Sequence, residues 1–330
     1  MRSANRSIME VIKLKIRKQF DFLGKRKIYF IISAAIVVFT VIFSLVFGVK
    51  LDIEFTGGSM ATYSYTGELN VDDVQSVAEE ALGMRVTVQQ SQDIATGREN
   101  VVISVNNQVS LSQEQQSQLT QKLEEKFSDN GITMEEINNV DPVIGREFLL
   151  KSLLAVAVAA VLMIIYIAFR FRKIGGWSAG VMAVIALIHD AIVIYAVFVI
   201  FQIPLNNNFI AAVLTILGYS INATIVVYDR IRENERLMKK TPIAEIVNTS
   251  INQSLTRTVN TTITTVIALL SACVLALIFN VDSILTFAFP LIIGMISGLY
   301  SSLCISGSLW VVWQEHKAKK RNYASGKKRK

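Results

Sequence analysis

The sequence has 330 residues, 52% of them hydrophobic, a formal net charge of +7, two cysteines and two histidines. The apolar excess is gathered into long uncharged stretches, which excludes one uniform globular core and indicates membrane spans joined to a polar part. Cys273 and Cys304 both sit in apolar runs, so no disulfide framework is available. With two histidines a histidine-rich metal site is not expected, and no cofactor is called for.

The charge is unevenly placed. Residues 1–27 hold nine Lys/Arg, and the tail from His316 to Lys330 holds eight Lys/Arg and no acid. Residues 50–146 instead hold six Lys/Arg against 16 Asp/Glu. Basic ends beside apolar spans are read as cytoplasmic segments that meet lipid head groups, not as a nucleic-acid surface.

In chain order, residues 1–27 form a basic segment in which residues 8–20 alternate apolar and basic, the pattern of a membrane-surface helix. Residues 28–49 follow, long enough to cross the hydrocarbon and too long for the core of a signal peptide. Residues 50–147 are polar and predict an α+β domain. They begin with Asp52-Ile-Glu-Phe-Thr-Gly57-Gly58-Ser, where paired glycines permit a tight backbone path. Strands are predicted over 60–65, 85–90, 100–106 and 132–140, and helices over 71–82 and 112–127, the second with Ser112 and Gln115 placed as a capping box. The order βαββαβ is that of a ferredoxin-like fold.

Five more spans are predicted within 148–313: 148–169, 177–201, 209–228, 259–279 and 284–313. The last is overlong and is expected to tilt or to begin as a surface helix. Arg170, Arg172 and Lys173 after the second span, and Arg230, Arg232, Arg236, Lys239 and Lys240 after the fourth, fall on the same side as the basic tail 314–330. The reading is therefore a multi-pass protein of a bacterial cytoplasmic membrane, six spans, both termini inside and the domain outside.

Ionisable residues at membrane depth are costly and usually have a task. Asp190 lies next to His189 midway along the third span, Asp229 and Arg230 close the fourth, and Arg257 opens the fifth. Asp190 and Arg257 are candidates for a proton-carrying carboxylate and its countercharge. The stretch Ser254–Thr265 holds seven Ser/Thr and one Asn, and hydroxyls there are read mainly as bonds between or within helices. Nucleotide-binding Gly-x-x-x-x-Gly-Lys, His-Glu-x-x-His and Gly-x-Ser-x-Gly patterns do not occur. The reading is a gradient-driven transport component and not an enzyme.

The run Leu214-Thr-Ile-Leu-Gly218-Tyr219-Ser-Ile-Asn222-Ala223-Thr-Ile-Val-Val-Tyr-Asp229-Arg230-Ile-Arg232-Glu233-Asn234 closely resembles the fourth-span signature of the SecF family of protein-export subunits. Phe55-Thr-Gly57-Gly58-Ser and Val140-Asp-Pro-Val-Ile-Gly145 resemble the family's segments after the first span and before the second, and His189-Asp190 and Arg257-Thr258 also fit. The resemblance implies half of a resistance–nodulation–division architecture that works with SecD. Its implied partners are the SecYEG channel, YajC, YidC and the translocating preprotein, with the proton motive force as energy source. One position departs. The family motif carries Asp where this chain has Ala223, and alanine cannot titrate. Three readings stay open: an engineered substitution, coupling carried by SecD, or a lineage that couples differently, through another ion or Asp190. A scaffold that only stabilises SecD, and a small-molecule or lipid exporter of the same superfamily, are the alternative readings.

Overall fold

The computed structural model describes residues 19–92, 98–105, 111–279 and 281–327. Most of the amphipathic stretch read at 8–20 lies outside them. Among the described residues, six helical paths are long and apolar enough to cross a membrane. Helices suit that role because every backbone N–H and C=O is satisfied within the segment. They are α1 (Arg26–Phe47), α5 (Pro142–Arg170), α6 (Gly176–Ile200), α7 (Asn207–Leu237), α8 (Ile243–Ile278) and a sixth path beginning with α9 (Asp282–Tyr300). α8 starts well before the apolar stretch at 259, at Ile243 just after Pro242, and within it the hydroxyls of Ser254 and Thr258 bond carbonyls four residues back along their own helix. The sixth path does not begin as a separate surface helix. It runs on from α9 through a π-helical segment (Ser301–Ser306) into α10 (Gly307–Lys327).

Between α1 and α5 lie a one-turn helix α2 (Ile53–Thr56), β1 (Gly58–Tyr65), α3 (Val71–Leu82), β2 (Thr87–Gln92), β3 (Glu99–Val105), α4 (Gln113–Lys126) and β4 (Thr133–Val140). The strand order is β2-β3-β1-β4, with every pairing antiparallel, which is the ferredoxin-like arrangement. Alternation explains the faces. Ala61, Tyr63 and Tyr65 on β1 and Val101, Ile103 and Val105 on β3 point to one side and pack on Val74, Ala78, Leu119 and Leu123 of the two helices. The helix starts are chemically marked. Asn70 caps α3, and Ser112 and Gln115 make both bonds of a capping box at α4.

The domain is joined to the spans at two tight points. At the first, the two glycine segments meet. Gly57 has φ +80° and ψ 163°, a region nearly closed to other residues, and an added Cβ would lie 2.5 Å from Pro142 Cα. A Cβ on Gly58 would strike the Val105 carbonyl, and one on Gly145 would lie 2.9 Å from the Gly57 nitrogen. At the second, the chain leaving α1 touches the approach to α7. Asp52 N–H donates to the Leu205 carbonyl at 3.0 Å and Leu205 N–H donates to Lys50 at 2.9 Å. Asn207 N–H at the start of α7 donates to Glu54 Oε2 at 2.8 Å. Burial pushes the Glu54 carboxyl up from its ordinary 4.5, against the lowering effect of that Asn207 bond. Asp52 is likewise raised by burial.

Two outcomes follow from these joints. Gly57→Ala should destabilise the folded chain by roughly 2–5 kcal/mol, combining backbone strain and overpacking. Gly83→Ala, at φ +66° with nothing within 4 Å, should cost only about 1 kcal/mol, as thermal unfolding in detergent would show. A raised carboxyl binds its proton more tightly in the folded state, so its contribution to stability is present below the ordinary value and lost as pH rises through the folded one. Glu54→Gln keeps a capping oxygen and cannot ionise. The wild-type chain should therefore lose melting temperature relative to E54Q as pH rises from 4.5 towards neutrality.

Candidate functional site

The spans are not equally enclosed. α6 and α7 are the most buried, with 61% and 56% of their apolar windows enclosed, against 6% for α1 and 17% for α8. Asp190 lies at the centre of α6 and is fully buried. Three hydroxyls close on it from two other spans. Ser220 of α7 donates to Oδ2 at 2.7 Å, Ser301 of the π segment donates to Oδ2 at 2.6 Å, and Ser297 of α9 donates to Oδ1 at 2.6 Å. His189 Nδ1 stands 3.4 Å from Oδ1, and its Nε2 is buried with no hydrogen-bond partner among the described residues. No lysine or arginine is ion-paired to Asp190 among them.

The local structure explains the convergence. Ser297 and Ser301 are four residues apart, so both project from one side of the helix. The π segment widens the turn that follows and directs successive hydroxyls inward. Ser302 accepts from Thr224 at 3.0 Å and donates to the Ser220 carbonyl at 3.1 Å, and Ser306 lies 2.8 Å from the Tyr228 hydroxyl. The approach needs a small residue. A Cβ on Gly298 would lie 3.1 Å from Ser220 Cβ, tighter than ordinary contact, so Ser220 would have to give by a few tenths of an ångström. A hydrogen bond to an ionised group contributes about 1.5–3 kcal/mol, while burying a charge costs several. The hydroxyls thus offset a large part of the desolvation penalty without a countercharge.

The other candidate residues occupy different places. Asp229 forms ion pairs with Arg170 at 3.0 Å and Arg232 at 2.8 Å, clamping the end of α5 to α7. Arg230 donates to Gln253 at 2.6 Å and pairs with Glu233 at 2.6 Å, while Asn234 donates to Ser250 at 2.8 Å. This part of the signature ties α7 to α8. Tyr219 donates to Thr262 at 3.1 Å, also across to α8. Gly218 and Asn222 are exposed on α7, Ala223 is half-buried, and Arg257 is exposed on α8. The structure therefore does not bring Arg257 to Asp190. Gly57 and Gly58 lie at the domain junction. Sequence reasoning missed Ser220, Ser297 and Ser301 as partners of Asp190. For Ser297 and Ser301 the signal was a set of serines recurring within an otherwise apolar sixth span, and Ser220 lay inside the fourth-span signature.

Six apolar helices around a buried carboxylate, with a ferredoxin-like domain inserted after the first, define a multi-pass membrane protein. The family model described as "Protein export membrane protein SecD/SecF, C-terminal" matches residues 118–316. "Protein translocase subunit SecF" of Alicyclobacillus acidocaldarius is 33% identical over 92% of this chain and 96% of its own length. "Protein translocase subunit SecDF" of Bacillus subtilis is 34% identical over 92% of this chain, which spans only 39% of that relative. The crystal structure of SecDF from Thermus thermophilus superimposes with a TM-score of 0.76 at 30% identity, covering 91% of this chain and 39% of the other. The chain belongs to the SecD/SecF family of protein-export membrane proteins.

The cage can be weighed directly. Ser301→Ala should destabilise the chain by roughly 1.5–3 kcal/mol, because a buried carboxylate loses a donor. In an Asp190→Asn background the same change should cost at least about 1 kcal/mol less, read by unfolding of all four proteins in micelles.

Proposed function

We propose that this chain is the SecF-type half of a two-part export device, paired with a SecD-type half and driven by the proton motive force to promote preprotein movement across the cytoplasmic membrane. The observation that carries the pairing is a strip of polar and small residues on the outside of two spans. On α7, Ala211, Thr215, Gly218 and Asn222 recur at helical spacing and are exposed. On α8, Arg257, Asn260, Thr261 and Thr264 do the same. A charged residue facing lipid costs about 2.5–3.5 kcal/mol or more, and small residues favour close helix approach. Such a face suits a second bundle better than hydrocarbon. Relatives named SecDF extend well beyond the length matched here, which supports a second half.

In this reading both termini and the basic loops lie inside and residues 50–147 lie outside, where they meet exported chain. SecYEG, YajC and YidC are the proposed neighbours. Half-buried Ala223 favours one second reading, a half that stabilises SecD without carrying a proton through that position.

Affinity purification of the tagged chain from native membranes should co-isolate SecD, and depletion should slow the appearance of secreted proteins outside the cell. Repeated absence of SecD would defeat the pairing. Ala223→Asp tests the coupling. A rise in gradient-dependent export would show a competent position 223, whereas no change would leave coupling to SecD or to another carboxylate of this chain.

A further inference from the structure

We infer that Asp190, held by Ser220, Ser297 and Ser301, is a proton-binding site of this chain, and that loading it reverses the Asp190–Ser301 hydrogen bond between the third and sixth spans. The inference rests on the proposed gradient-driven role, with position 223 unable to titrate. Its ground is the geometry of the cage. Three donors at 2.6–2.7 Å satisfy the ionised form of one fully buried carboxylate, and Ser301, with the Gly298 carbonyl 3.3 Å away as a second acceptor, lets the same cage hold the protonated form. A bare proton adds no volume there, whereas a metal cation would have to force these oxygens apart.

The groups around the site leave Asp190 without a fixed countercharge. On its own helix His189 is the one basic neighbour, 3.4 Å away. From the sixth span come Tyr300, whose ring centre lies 5.9 Å from that of His189, and the buried thiol of Cys304. Tyr300 donates to the Tyr29 carbonyl of α1, and Arg26 of α1 is committed to Glu315 of α10. α5 meets α6 through Ala168 and Ile164 at Gly176 and Gly180, while its Arg170 pairs with Asp229 and its Lys151 with Glu147. α7 presents Ser220 and Thr224, its charged residues being held at the inner clamp. Arg257 of α8 is exposed.

Proton binding is a defined exchange of hydrogen bonds. The ionised carboxylate only accepts, so all three serines donate to it. When one Asp190 oxygen gains a proton, the new O–H must donate, and one serine must turn from donor to acceptor. Ser301 has the alternative in place, since its hydroxyl also lies 3.3 Å from the Gly298 carbonyl one turn back. Ser301 turns its O–H to Gly298 and accepts from Asp190. Loss of the proton reverses the exchange. No bond other than O–H is made or broken. The change falls in the π segment, where the neighbouring hydroxyl of Ser302 bonds the Ser220 carbonyl, so it bears on the seam between the sixth span and α7.

The test is infrared difference spectroscopy of the full chain in lipid nanodiscs, between alkaline and acidic buffer. The expected result is a protonated-carboxyl C=O band that is lost in Asp190→Asn and shifted in frequency in Ser301→Ala, which removes the accepting hydroxyl. The inference is overturned if wild type and D190N give the same carboxyl region, if S301A leaves the band unmoved, or if sodium abolishes it by competition. If D190N does not fold, S301A alone decides. A depletion assay for export, run in parallel, separates the two readings. Lost export with no Asp190 band would sink the site and leave the export role, and the reverse would sink the role and leave the site.

Discussion

One carboxylate in an apolar bundle sets the terms for the rest of this structure. Asp190 has no lysine or arginine partner among the described residues and one histidine beside it, so a large part of the stabilisation of its buried oxygens comes from dipoles brought from neighbouring helices. Serine supplies those dipoles on a short arm. The helices must therefore come close, and Gly298 beside Ser220 is the local consequence. The π segment is another, because it turns Ser301, Ser302 and Ser306 towards the same interior. A regular α-helix would rotate some of them away.

The same span that brings Ser220 is the one held by the outer connection. Glu54, next to the domain's first strand, accepts from the first turn of α7 at Asn207. Ser220 lies 13 residues further along, about 20 Å down a rigid helix. A displacement of the domain would reach the carboxylate cage through one continuous rod. The domain itself is fastened where Gly57 meets Pro142 and Gly145, backbone against backbone with no room for a side chain. The first of these joints ties the domain to α7 and the second to α5.

At the other end of α7 the signature residues serve a different purpose. Asp229 links α7 to α5 through its ion pair with Arg170, Arg230 and Asn234 link it to α8 through side-chain hydrogen bonds, and Arg232 and Glu233 hold Asp229 and Arg230 in place from within α7. They anchor the helix bundle where it emerges, which leaves the middle of the bundle, around Ser220 and Asp190, as the part with alternative hydrogen bonds. The proposed switch lies where rotation of a hydroxyl is possible and away from the clamp.

Much of this was legible in the residues themselves, for physical reasons. Hydrocarbon thickness fixes the length of a span, so apolar runs revealed six of them, and the basic loops fell consistently on one side. Alternation and caps are local, so the strands and helices of the domain, down to the Ser112–Gln115 capping box, could be read in order. Asp190 stood out because a charge at membrane depth is expensive. What the sequence could not contain was pairing across space. Asp190 and Arg257 looked equivalent as buried ions, yet helix rotation sends one inward to three serines and the other to the surface. Ser297 and Ser301 carried no mark of function, since a serine in a span usually bonds its own helix. Only the packing of α6, α7 and the sixth path, and the wide turn that follows Tyr300, decided that these hydroxyls share one carboxylate.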